Sequence, residues 1–280
     1  MASTTKVSVH SRSISFPSRS HPFTVSVEEH LCRLRTLEET TSSSTTKCNK
    51  LSTLIDLYEC VEDLLQLPAA KQDYLSCAED ILCGSIRLLD LCSTSKDSLS
   101  LMRSSVQQFE SSIRRRESDI SSKTGSYLIC KKKVKKMISK CFTSSKKSKI
   151  NKSTETPAIV GLLREVEEVS IRVFESIFSS ICPAKVTSNR WSLVFKSTQS
   201  KRVHCEGDIE ENINQIQKMD MILEALNKKS SKANDILGTQ EVLKCLMAMD
   251  MNMQECEEKL DLLVRSLIKT RVSILNVLNH

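Results

Sequence analysis

A single long helix is predicted by the stretch VLKCLMAMDMNMQECEEKLDLLVRSLIKTRVSILNV, residues 242–277. Its apolar residues recur with alternating spacings of four and three over five heptads. A strict 3.5-residue repeat keeps one apolar seam facing a neighbouring helix, which is the pattern of a coiled coil. The stretch therefore predicts a long, coiled-coil-like C-terminal helix. Its seam consists of Val242, Leu246, Met249, Met253, Cys256, Leu260, Leu263, Leu267, Thr270, Ile274 and Val277.

The sequence allows two alternative partners to pack against this seam. The segment 209–226 carries apolar residues on one helical face and would form an antiparallel hairpin closed near Gly238. We favour this internal partner. A second copy of the chain is the alternative, and it would make the protein a homodimer.

The rest of the chain also has a helical pattern. Only five Gly and five Pro occur in 280 residues, where average usage gives roughly 20 and 14. Sandwiches, barrels, doubly wound sheets and Gly-rich phosphate loops need more turn residues than this. Aromatic residues form 4% of the chain, too few for base-stacking platforms. We expect an all-α fold, in the form of an elongated helical bundle.

Apolar periodicity places the other helices. It predicts a third helix that ends near Cys92 and a separate fourth helix that opens near Ser95. The first, third and fourth predicted helices are 25–38, 71–92 and 95–113, the second runs from 51 to just before Pro68, and the fifth runs from a cap at Thr156 to just before Pro183.

Composition divides the chain into four parts. Residues 1–24 are a Ser-rich basic tail that we expect to be disordered, and residues 25–140 are an N-terminal helical part. A basic polar linker follows at 141–155. The C-terminal helical part, 156–280, contains an irregular loop at 183–207.

Positive charge is concentrated in the middle of the chain. Residues 120–154 contain eleven lysines and no acidic residue, whereas the whole chain has a formal charge of +7. The remainder is therefore net acidic. The densest part of this basic tract comprises Lys131, Lys132, Lys133, Lys135, Lys136 and Lys140.

Several functions fit the basic tract. It resembles a nuclear-import signal, and it is also typical of a solvated charge run or a segment that binds an anionic membrane surface. For membrane binding, Cys141 would be an acylation site and neighbouring apolar residues would insert. Those residues are Ile129, Val134, Met137, Ile138 and Phe142. Lysines without well-placed arginines or aromatics do not favour specific nucleic-acid binding. We rank the membrane surface above the nucleus.

The N-terminal tail carries a phosphorylation motif. Arg12, Ser13, Ser15 and Pro17 have the form R-S-x-S-x-P, so phosphorylation of Ser15 would create a ligand for a 14-3-3 protein. The first 26 residues hold eleven Ser or Thr and no acidic residue, which is also compatible with a plastid transit peptide. We favour a phosphorylatable tail.

Catalytic and metal motifs are not recognisable. The twelve cysteines contain no Cys-x-x-Cys pair, and the five histidines lack zinc-finger spacing. We expect mostly buried, reduced thiols in an intracellular protein. His204 next to Cys205 is the one Cys/His neighbour pair, and adjacent residues rarely point at each other. The sequence thus predicts neither an enzyme nor a cofactor.

Several segments, spread over nearly the whole chain, carry a resemblance to a known family. They are Arg12–Pro22, Val27–Arg35, Asp56–Val61, Leu64–Pro68, Gly84–Cys92, Arg114–Arg116, Trp191–Val194 and the C-terminal helix. In these segments the chain resembles a plant-specific family of unknown function grouped with the BYPASS-related proteins. The resemblance implies an all-helical plant protein with no described active site, linked to root and shoot development.

These observations predict a non-catalytic regulatory or scaffolding protein that binds protein partners. A peripheral membrane protein anchored by the basic tract and a plastid-targeted helical protein are the alternatives. We expect a cytoplasmic location, with the periphery of the plasma membrane as an option within it, ahead of the nucleus or plastid.

Overall fold

The computed structural model describes residues 21–39, 44–117, 120–146, 157–181 and 235–279. Within these ranges every regular element is a helix, which confirms the all-α prediction. The α-helices are α1 (Pro22–Glu39), α2 (Ser44–Leu65), α3 (Pro68–Tyr74), α4 (Ala78–Arg114), α5 (Ile120–Lys146), α6 (Ala158–Ile181) and α7 (Asp235–Leu278). A short 3-10 helix, Leu75–Cys77, joins α3 to α4.

The seam of α7 is buried within the chain, between α2 and α4. Leu246, Leu260, Leu263 and Ile274 are completely inaccessible, and even Thr270 is 6% exposed. The Thr270 hydroxyl donates to the carbonyl of Ser266, which satisfies its polar group inside the helix. The favoured partner segment, 209–226, lies outside the described residues.

Paired side chains show how the helices run. Lys259 donates to Ser52 and Lys269 pairs with Glu62, so α2 and α7 run parallel. Lys96 pairs with Asp261 while Arg271 bonds to Leu82, so α4 runs antiparallel to α7. The helix α5 turns back along α4, and α6 packs on α1, α2 and α4.

One arginine fixes the register of α4 on α7. The Arg103 guanidinium donates to Asp250 at 2.9 Å, to Glu257 at 3.1 Å and to Gln254 at 2.7 Å. The hydrogen bond to Asp250 contributes most to raising the pKa of Arg103. Because its donors have a fixed fork geometry, only one offset between the helices satisfies all three partners.

The predicted break between residues 92 and 95 is wrong, since α4 is a single helix of 37 residues that runs through both positions. Ser and Thr usually favour helix ends because their hydroxyls compete for backbone groups. Here the Ser95 hydroxyl donates to the Leu91 carbonyl at 2.7 Å, within the helix itself. Ser95 and Ser98 are fully buried, so small side chains line the packed face.

Two boundaries also differ from the predicted segmentation. The first helix begins at Pro22, inside the predicted tail, because proline suits the first helical position and the His21 ring accepts the Phe23 N–H. The helix α5 extends to Lys146, so 141–146 is helical. Residues 1–20, 147–156 and 182–234 lie outside the described residues, and so does the predicted loop at 183–207.

A glycine permits the close approach of α4 and α6. A Cβ atom added to Gly84 would lie 2.6 Å from Oε2 of Glu167. That carboxylate pairs with Arg87 at 2.6 Å, and both side chains are mostly buried. Burial raises the pKa of Glu167, and the Arg87 guanidinium partly offsets this effect.

We therefore predict opposite effects for two glycine substitutions. Gly84→Ala should lower the free energy of unfolding by about 1–2 kcal/mol, because Glu167 must leave its ion pair. A Cβ atom added to Gly125, in α5, has no other atom within 4 Å. Gly125→Ala should therefore raise the free energy of unfolding by about 0.5–1 kcal/mol, because alanine has the higher helix propensity. Urea denaturation of both variants measures this. Equal stabilisation by both would show that Glu167 does not lie against Gly84.

Candidate functional site

Residues 120–146 of the basic tract lie on α5, a helix docked along α4, and residues 147–154 lie outside the described residues. Its inward face holds Tyr127, Val134 and Ile138, which are 1%, 0% and 8% exposed. Their spacing of seven and four places them on one side of a helix. Tyr127 stacks on Phe109 of α4, with ring centroids 6.4 Å apart. The tract is thus a folded surface of the bundle.

The middle and the C-terminal part of α5 are held by further contacts. The Cys130 thiol donates to the Leu101 carbonyl of α4 at 3.4 Å. Near the C-terminal end, Phe142 meets Phe178 of α6 edge to face, with centroids 5.3 Å apart. These contacts restrain the helix along its length, so its outward side chains keep a fixed arrangement.

The outward face carries the lysines. Lys132, Lys133, Lys135, Lys136 and Lys140 are exposed, whereas Lys131 is half-buried beside the packed face. The sequence of α5 contains no acidic residue, so no intrahelical carboxylate neutralises these charges. The result is a strip of positive charge along one side of the bundle, which we call the lysine face.

An exposed apolar pair adjoins the lysine face. Ile129 is 68% exposed and Leu128 is 38% exposed. At 100° per residue, Ile129 shares the outermost line of the helix with Lys132, Lys136 and Lys140. An apolar side chain beside a row of lysines suits the boundary between lipid headgroups and acyl chains.

The structure corrects the predicted set of membrane-inserting residues. Val134 and Ile138 are buried against the bundle, and Met137 and Phe142 are half-buried. Of the five predicted residues, Ile129 alone is exposed. The sequence signal for this distinction was the helical register, since residues 127, 134, 138 and 141 define a face opposite residue 129.

The predicted acylation site is half-buried. The Cys141 side chain packs against the hydrophobic core on the inward side of α5. An acyl chain on this thiol would require the side chain to leave that contact. The phosphorylation motif Arg12, Ser13, Ser15 and Pro17 lies outside the described residues.

A small cavity lies in the part of the bundle that the structure describes. This cavity, of about 50 Å³, lies between α2, α4, α6 and α7, lined mainly by apolar side chains such as Leu88, Leu163 and Leu267. Small-molecule sites are usually several times larger, about 300–1,000 Å³. In the part of the chain that the structure describes, no three His, Cys, Asp or Glu side chains are placed to hold a metal ion.

Over the residues described, the chain is a bundle of helices with a basic face on α5. None of the helices described is long and apolar enough to cross a membrane. A family model described as Protein BPS1 matches residues 50–277, so the chain belongs to the BPS1 family. The family resemblance seen in the sequence is therefore confirmed. Comparison with curated proteins and with solved structures found no significant match.

The packing of α5 generates a stability prediction. Val134→Ala should lower the free energy of unfolding by about 2 kcal/mol, because it leaves a cavity against α4. Ile129→Ala, on the same helix, should change it by less than about 0.5 kcal/mol. Urea denaturation distinguishes the two, and equal effects would show that this tract does not dock as a helix.

Proposed function

We propose that this protein is a non-catalytic regulatory or scaffolding protein whose lysine face binds an anionic membrane surface. The observation that carries the proposal is the docked helix α5, with five exposed lysines, an exposed Ile129 and no acidic residue. The chain lies at the cytoplasmic periphery of the plasma membrane in this proposal. Protein partners are assembled there by the rest of the bundle.

The energetics favour reversible binding. Each lysine near an anionic leaflet contributes about 1 kcal/mol, so five lysines supply about 5 kcal/mol. Burial of the exposed Ile129 side chain adds roughly 1.5 kcal/mol. The sum corresponds to a dissociation constant of about 10–100 μM, and screening by salt weakens it further. Such binding sets location without fixing the protein permanently to the membrane.

The bundle interior supports a non-catalytic role. The 50 Å³ cavity is too small for most organic substrates, and its lining is mainly apolar. The exposed surfaces of the helices offer more area for binding a partner than this cavity does. Lysines without adjacent arginine forks favour diffuse anionic surfaces over specific nucleic-acid recognition.

The tail supplies the regulation in this proposal. Phosphorylation of Ser15, within the motif that includes Arg12, Ser13 and Pro17, would recruit a 14-3-3 protein. The link to root and shoot development that the family resemblance implies belongs to the same proposal. A plastid location is the competing hypothesis, and an N-terminal fusion that blocks plastid import separates the two.

Neutralising the lysine face should abolish membrane binding. The variant carries Lys132→Gln, Lys133→Gln, Lys135→Gln and Lys136→Gln. We expect its partition onto phosphatidylcholine vesicles containing phosphatidylserine to fall by about 10²- to 10³-fold, from the loss of four lysine contributions. Sedimentation of the full chain with vesicles measures the partition, and vesicles of phosphatidylcholine alone should bind neither protein.

A second variant controls for net charge. It removes four positive charges, as many as the first variant does, from surfaces outside α5. The residues changed to Gln are Arg33, Lys96, Lys244 and Lys269. Lys96 pairs with Asp261 at the surface, so little stability is lost there. Glu62, the partner of Lys269, is mostly buried, so urea denaturation is used to check that this variant folds. This variant should bind almost as well as the unmodified chain. An equal loss in both variants, or no binding by the unmodified chain, would contradict the proposal.

A further inference from the structure

Two cysteines far apart in sequence lie side by side in the bundle. Cys48 of α2 and Cys256 of α7 have their Sγ atoms 3.7 Å apart, although 208 positions separate them in sequence. Both are buried, at 3% and 6% exposure. Because the S–S bond of a disulfide is about 2.05 Å long, the two sulfurs need to approach by only about 1.7 Å.

The two thiols have different environments. The two sulfurs share an S–H···S contact in which either thiol can be the donor, and this contact is the main cause that lowers the pKa of Cys256. The ammonium groups of Lys47 and Lys259 act in the same direction, while burial and Glu255 oppose them. The same contact, together with burial, raises the pKa of Cys48. Cys256 is therefore the better nucleophile of the pair.

We propose that Cys48 and Cys256 form a redox modification site, at which a hydroperoxide converts the two thiols into a disulfide that links α2 to α7. The pair connects two helices that otherwise associate through non-covalent packing. The proposal concerns the bundle itself and is independent of membrane binding.

Hydrogen peroxide can oxidise the two thiols to the disulfide in two steps. The Cys256 thiolate attacks one peroxide oxygen, the O–O bond breaks and hydroxide leaves, which gives a sulfenic acid. The Cys48 thiolate then attacks the Cys256 sulfur, the S–O bond breaks and a second hydroxide leaves. The two thiol protons convert both hydroxides to water. Two thiols are oxidised to one disulfide, and one peroxide is reduced to two waters.

The position of Cys48 provides access for a small oxidant. It lies four residues after Ser44, where α2 begins, and helix ends open locally at little cost in free energy. Opening of this turn exposes the pair without unfolding the bundle. Once formed, the disulfide closes a loop of about 200 residues, and such long loops gain the most from cross-linking.

The test is peroxide oxidation of the reduced full chain, followed by alkylation of the remaining thiols and peptide mass spectrometry. We expect a cross-linked peptide containing Cys48 and Cys256, and a rise in Tm on the order of 10 °C that dithiothreitol reverses. The proposal is overturned if both thiols remain available for alkylation while exposed Cys32 and Cys83 are oxidised.

Substitutions separate this disulfide from other oxidation products. Cys48→Ala and Cys256→Ala should each remove the peroxide-induced rise in Tm, whereas Cys60→Ala, also on α2, should retain it. Loss of the rise in all three variants, or its retention in Cys48→Ala, would assign the effect to other thiols. The peptide assay on the unmodified chain gives its answer even if a variant fails to fold.

Discussion

The packing of α7 against α4 is the interaction on which the other helices depend. Leu260, Leu263 and Leu267 are removed from water on the α7 side, and Leu99, Met102 and Val106 on the α4 side. The Arg103 contacts then fix the offset between the two helices. Since α5 and α6 also pack on α4, a shift in this pairing would move the surfaces they carry.

The lysine face is a consequence of that arrangement. Eight lysines in 27 residues, with no acidic residue, would repel one another in an isolated helix. Burial of Tyr127, Val134 and Ile138 against the bundle offsets this repulsion and keeps the segment helical. The charge density that makes α5 a candidate binding surface therefore requires the apolar face of the same helix.

The sequence predicted the elements whose periodicity is unbroken. The heptads of α7 and the scarcity of Gly and Pro were sufficient for the all-α class. The continuity of α4 was missed because a Ser/Thr cluster resembles a helix end, while Ser95 in fact bonds within its own helix. The proximity of Cys48 to Cys256 could not be predicted, because it depends on the parallel register of α2 and α7. Side-chain pairs distant in sequence carry no local signal.

Hydrogen exchange of the free protein tests most directly whether the basic tract is a docked helix. If the tract is a docked helix, backbone amides from Cys130 to Ile138 exchange slowly, with protection comparable to that of Leu99 to Val106 in α4. Exchange of the tract at the rate of an unfolded segment, beside a protected α4, would contradict this expectation. The lysines would then belong to a flexible chain, and the fixed face from which the membrane proposal is argued would not exist.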